Sequence, residues 1–321
     1  MIWNLGLAGL AALSAFVMGY ALNQGTTCAV LAARQVLEDR RPTMLLGFGV
    51  AAATAGLVWL PLSWSGVVAL TPDRAVTGGL VAGAVLLGTG AVLNRACLLG
   101  SISRIGDGRF SYLGLPVGLF LGFVVADAFR AQASPSRPNL LGHPSEVSML
   151  VLIGFCVAVW LGWAILRSLG DRAEADRWSG RGAMTVLGVA GAFLFAAAPG
   201  WTLADAIRVA APQGGMPFMS ATALGLLMFA LLCAGAVASG MKRRSFVLRP
   251  PRPVAFIRSL GGGTVMAVGA SLIPGGNDSL LLAALPGGAF GGLVAYGVMT
   301  ATVFALLWVG GAIRTVRAIP G

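Results

Sequence analysis

Residues 80–104, LVAGAVLLGTGAVLNRACLLGSISR, are the stretch that decides the fold. They open as a glycine-laced apolar helix and meet polar residues at Asn94 and Arg95. Cys97 follows beside these, and a short apolar segment then ends at Arg104. The same order occurs from Ala15 to Arg34 (AFVMGYALNQGTTCAVLAAR) and, in degenerate form, from Val265 to Leu282 (VMAVGASLIPGGNDSLLL). A long helix, a polar break and a half-helix is how membrane carriers build a substrate site near the bilayer midplane.

Composition agrees with that solvent. Hydrophobic residues make up 57% of the chain, charged residues only 10%, and the mean hydropathy is +0.86. Soluble domains carry about a quarter charged residues. A core of this length cannot cover so much apolar surface, so the predicted class is an all-α, polytopic membrane protein. On the measure of about twenty apolar residues per span, nine spans are expected: 5–22, 43–62, 77–93, 112–129, 147–166, 182–198, 217–239, 259–273 and 288–313. Four shorter pieces, 26–34, 96–104, 201–210 and 277–285, are too short to cross and read as in-membrane half-helices. The N-terminal stretch has no basic n-region and runs past signal length, so the first helix is expected to be retained.

Of the 22 Lys and Arg, only Arg74, Arg130, Arg137 and Arg208 fall on one side of these spans. The positive-inside rule then places the N-terminus in the periplasm and the C-terminus in the cytoplasm. The net charge of +11 comes from residues dispersed between apolar runs, which excludes a nucleic-acid-binding patch. Aligned on Gly19, Gly88, Gly191 and Gly269, the four units carry Cys28, Cys97, Gly200 and Asp278 nine residues on. This suggests two pseudo-repeated halves, 1–166 and 182–321, joined by a solvated connector, 167–181. An odd span, 112–129 or its partner, would allow an inverted arrangement.

The four cysteines form no CxxC and no Cys/His cluster, and the single histidine, His143, lies in a Pro-rich loop. No metal, cofactor or His-based catalysis is expected. Cys156 and Cys233, mid-span without polar neighbours, read as small buried hydrophobes. Cys28 and Cys97 lie in matching polar breaks. A thiol at a half-helix start sits beside unpaired N–H groups that can hold an anion without a full counter-charge. Gln24 and Thr27, with Asn23 and Thr26, either donate to a substrate or satisfy the interrupted backbone. Asn94 belongs to the second break; Arg95 either binds an anion or snorkels from a helix end. Arg34 and Arg104 read as anchors.

The stretches NQGTTCAVLAARQ and GAVLNRACLLGSISRIGDGR, and more loosely RSLGGGTVMAVGASLIPGGNDSLLLAALP, resemble the YeeE/YedE sulfur-transport family. The resemblance implies a bacterial inner-membrane carrier for thiosulfate, not an enzyme. It also implies cysteines that pass the anion inward through transient hydrogen bonds, here Cys28 and Cys97. The family's third cysteine is replaced by Asn277-Asp278. That leaves open another sulfur or selenium species as cargo. Asp278 either caps the half-helix or carries a coupling proton. A dianion entering against the membrane potential costs about 4.6 kcal/mol per 100 mV, twice the single-charge value. The basic loop 240–258 (GMKRRSFVLRPPRPVAFIR) reads as a topology anchor on anionic lipid or a dock for an acidic cytosolic sulfur-carrier protein. In the latter case the chain would be a membrane-embedded persulfide-transfer protein.

Overall fold

The computed structural model describes residues 2–129, 134–139, 141–210, 218–273 and 275–317, so Arg130 of the charge count lies outside the described residues. The first half contains α1 (Ile2–Gln24), α2 (Ala29–Asp39), α3 (Thr43–Trp64), α4 (Gly78–Asn94), α5 (Leu98–Gly106) and α6 (Gly114–Ala128). The peripheral α7 (Glu146–Ser168) follows. The second half contains α8 (Gly180–Ala197), α9 (Leu203–Ala210), α10 (Phe218–Lys242), α11 (Pro253–Leu272), α12 (Asn277–Ser279) and α13 (Phe290–Arg317). A π-helical turn, Leu280–Ala284, prolongs α12. Two-residue strands β1 (Asp73–Arg74) and β2 (Ser136–Arg137) pair antiparallel and tie two loops together at one end. Among the described residues, nine helical segments are long and apolar enough to cross a membrane. The chain is therefore an all-α polytopic membrane protein.

The four units of long helix, half-helix and long helix are α1–α3, α4–α6, α8–α10 and α11–α13. They pack in a reciprocal pattern. In the first and third units, α1 lies on α8 and α10 while α8 lies on α1 and α3. In the second and fourth, α4 lies on α11 and α13 while α11 lies on α4 and α6. Gln24, which ends α1, and Gly180, which begins α8, line one cavity, so these two helices run in opposite senses. Between the two pairs of units lies one extra span, α7. It packs on α3 and α8, and only 6% of its apolar window is buried.

Small residues let these helices meet backbone to backbone. A Cβ on Gly19 would run into the carbonyl oxygen of Leu232, and one on Gly235 into that of Phe16, so α1 and α10 approach each other from both sides. Lipid-facing helices gain little from apolar burial, and close packing carries their association instead. Gly235→Val should therefore cost about 3 kcal/mol by overpacking. Gly9→Ala, where nothing lies within 4 Å, should be neutral or gain up to about 1 kcal/mol of helix propensity. Thermal unfolding of the two variants in detergent checks the contrast.

Candidate functional site

Both cysteine-bearing breaks in the first half close the same way. After α1, the Thr27 N–H reaches the Leu22 carbonyl at 3.1 Å with Thr26 in the left-handed region (φ 48°). After α4, the Ala96 N–H reaches the Ala91 carbonyl at 3.1 Å with Arg95 in that region (φ 62°). Each is the hydrogen-bonded left-handed turn that ends many helices. Two residues past each left-handed residue stands a cysteine, and each cysteine is the N-cap of the following half-helix.

The two caps meet. Cys97 Sγ accepts the N–H of Gly100, from its own half-helix α5, at 3.4 Å, and that of Ala29, from α2, at 3.3 Å. The sulfur thus lies between the starts of two half-helices. The Cys28 and Cys97 thiols lie within interaction range of each other, and both are free and almost fully buried. Gly100 makes room for this: a Cβ there would lie 2.5 Å from Cys28 Sγ. Chemically the pair offers two polarisable sulfurs in the positive field of aligned N–H groups, with no formal charge.

The other residues singled out from sequence fall into separate places. Asn94 clamps the second break, its Nδ2 donating to the Ala96 carbonyl (2.8 Å) and Ser101 Oγ (2.9 Å). Thr27 Oγ1 donates weakly to Met184 Sδ at 3.9 Å. Gln24 holds the connector: its Oε1 accepts the Trp178 N–H at 2.9 Å, and its Nε2 is buried without a partner. Arg95 is exposed, within electrostatic range of Arg258 rather than turned toward the thiols. Asn277 and Asp278 lie in the opposite break. There Gly276, not Asp278, is the N-cap, and the Asp278 carboxylate accepts the neighbouring Ser279 N–H at 2.9 Å.

Two cavities flank the thiols at opposite ends of α3 and α8. One, of about 220 Å³, is lined by Gln24, Thr43, Met44, Arg177 and Met184. The other, of about 490 Å³, is lined by Trp59, Arg74, Phe195, Asp205, Arg208 and Ser279. Neither reaches Cys28 or Cys97. Leu98 packs on Gly276, where a Cβ would lie 2.6 Å from its Cδ1, next to Gly275 of the second cavity. Thr27 meets Met184, which lines the first.

Sequence reasoning left Leu98, Met184 and Tyr296 unnoticed. Tyr296, on α13, lies within electrostatic range of Cys97. All three look like ordinary span residues. Asn23 has a larger part than its sequence suggests. Its Nδ2 donates to the Ser103 carbonyl and to Asp107 Oδ1, both at 3.0 Å, and its Oδ1 accepts from Ser239 at 2.9 Å.

The profile of a family described as "Sulphur transport" matches residues 24–305, a stretch that includes both cysteine breaks and the Asp278 break. No curated protein matches the chain. The geometry of the pair is testable on its own. Gly100→Ala should destabilise the protein by about 1–3 kcal/mol through overpacking, and in unfolding-coupled thiol labelling Cys28 should become reactive at lower denaturant than in the wild type.

Proposed function

Because the chain belongs to the sulphur-transport (YeeE/YedE) family, we propose that it carries a small inorganic sulfur anion, foremost thiosulfate, through the bacterial inner membrane by way of Cys97 and Cys28. The observation that carries this reading is the Cys97 sulfur held between Ala29 N–H and Gly100 N–H beside a second thiol. Those N–H groups would turn to the anion's oxygens while the thiols meet its terminal sulfur. A dehydrated anion is thereby met by fixed dipoles rather than by a buried cation, whose cost in the midplane is about 3 kcal/mol on insertion scales.

The positive-inside rule assigns the face bearing Arg172, Arg177 and Arg243 to the cytoplasm and the cavity with Arg74 and Arg208 to the periplasm. The anion would enter at the second, pass Leu98, reach the thiols and leave past Thr27 and Met184. The replacement of the third cysteine by Asn277-Asp278 favours a second reading, in which the preferred cargo is another sulfur or selenium oxyanion.

On the cytoplasmic face, loop 240–258 lies against the end of α5. The Val247 N–H donates to the Asp107 carbonyl at 3.2 Å and the Arg249 N–H to that of Gly108 at 2.9 Å. With Val247 and Leu248 exposed beside its arginines, this loop would suit an acidic cytosolic sulfur carrier.

Uptake of labelled thiosulfate into cells lacking other sulfur permeases tests the reading. Cys97→Ala should lower the rate at least tenfold and Cys28→Ala by a smaller factor. Rescue undiminished in both would remove the thiols from the pathway. Selenite or sulfite outcompeting thiosulfate would favour the second cargo, and a persulfide on purified Cys97 would point to sulfur transfer instead.

A further inference from the structure

The cavity on the Arg74 side holds charges that a plain anion vestibule would not need. Asp205, on α9, and the Asp278 break both border it, while Arg74 and Arg208 line it. Asp278 is 4% exposed, and among the described residues no basic side chain hydrogen-bonds to it; its one hydrogen bond is from the Ser279 N–H. Asp205 accepts from Thr202 Oγ1 at 2.7 Å and lies within electrostatic range of Asp278. Two further polar atoms there lack partners. Ser279 lines the cavity, and its Oγ, like the neighbouring Asn277 Oδ1, is buried and has no hydrogen-bond partner among the described residues.

Charge decides what this arrangement favours. With both carboxylates ionised, two negative charges offset the two arginines, and the cavity offers a dianion no net attraction. One proton on the carboxylate pair leaves the cavity positive, so proton and anion each strengthen the other's binding, as linkage requires. A buried carboxylate without a cation is also costly, and a bound proton removes that cost.

We infer that this cavity is a two-ion site, in which Arg74 and Arg208 hold the incoming oxyanion beside Ser279 while Asp278 and Asp205 between them carry one co-transported proton. The inference rests on the uptake reading above and adds its coupling ion. A proton travelling with thiosulfate halves the charge moved against the membrane potential. The proton leaves Asp278 when the anion passes Leu98 toward the thiols, and both ions are released on the other face.

Other titratable groups stand on the surrounding elements. Asp73 is engaged by the Gly291 and Arg74 N–H groups at 2.8 Å each. Asp127 ends α6, which packs on α9, and Tyr296 and Cys97 lie beyond Leu98. The aspartate substitutions below therefore isolate the pair from these neighbours.

The test uses full-length protein in proteoliposomes, with labelled thiosulfate and an imposed pH gradient, acid outside. Wild-type uptake should rise several-fold with the gradient and stay flat with a sodium gradient at fixed pH. Asp278→Asn and Asp278→Cys, the latter restoring the family's third thiol, should take up thiosulfate at rates that no longer follow the gradient. Asp205→Asn should blunt the response. Stimulation of all three variants equal to that of wild type overturns the proposal, as does wild-type uptake that responds to sodium alone or to neither gradient. Downhill thiosulfate exchange distinguishes the two levels. A wild type that exchanges but ignores the pH gradient overturns the coupling only, and one that exchanges nothing overturns the uptake reading with it.

Discussion

A helix that stops inside a bilayer leaves N–H groups and carbonyls with no water to take them, each at a cost of several kcal/mol if unpaired. That constraint shapes the centre of this protein. The first two breaks close their carbonyls locally, through Thr27 N–H on Leu22 and Ala96 N–H on Ala91. The freed N–H groups of α2 and α5 are then directed at one atom, Cys97 Sγ. Everything around that atom keeps the two half-helix starts together: Asn94 pins the second break to Ser101, and Asn23 ties the first to α5 and α10. Gly100 leaves the gap that Cys28 fills.

The inverted packing of the halves explains why such a centre exists at all. Four units each contribute one half-helix, and units running in opposite senses bring half-helix starts inward from both faces. Fixed dipoles then gather where the bilayer is thickest while full charges remain at the rims. Arg177 and Arg243 stand at one rim, Arg74 and Arg208 at the other. A helix start stabilises an anion by about 0.3–2 kcal/mol, less than an ion pair in a dry core. The smaller figure suits a carrier, which must let its cargo go.

Much of this is written in the sequence, because spans and breaks have compositional signatures. The nine apolar runs and four short pieces each overlap a helix or half-helix, with bounds off by up to about six residues, and Cys28 and Cys97 do stand at half-helix starts. Hydropathy records length but not direction, which is why the odd span stays open between residues 112–129 and their partner until the packing of α7 is seen. Proximity along the chain also misleads. Arg95 is two residues from Cys97, yet the left-handed turn at Arg95 itself carries its side chain to the exposed rim. Asn23 looked like one polar residue among four, and its partners Ser103 and Ser239 lie 80 and 216 residues away. Leu98 and Met184, which the proposed path would have to pass, are side chains that any span would contain. Asp278 stands one turn position inside its half-helix because Gly276 already occupies the cap.

The fastenings on the two sides of the thiols differ, and on the proposed route this asymmetry would give uptake a direction. On the Arg74 side the seal is Leu98 against the Gly276 backbone, next to a segment that leaves regular helical geometry at Leu280–Ala284. Among the described residues, one hydrogen bond ties that segment to α3, from Trp59 Nε1 to the Leu282 carbonyl at 2.9 Å. On the opposite side the connector is fastened over Gln24 and Thr26 by Trp178 N–H on Gln24 Oε1 and by Arg177 on Thr26 Oγ1 at 2.8 Å. Arg243 adds a bond to the Asn23 carbonyl, and the Tyr20 and Trp178 rings lie 5.2 Å apart. At about 0.5–1.5 kcal/mol net per hydrogen bond, and more where one partner is charged, the connector side needs several kcal/mol more to open. On the proposed route, an ion arriving from the Arg74 side would therefore meet the less firmly fastened side first, with the more firmly fastened one behind the thiols.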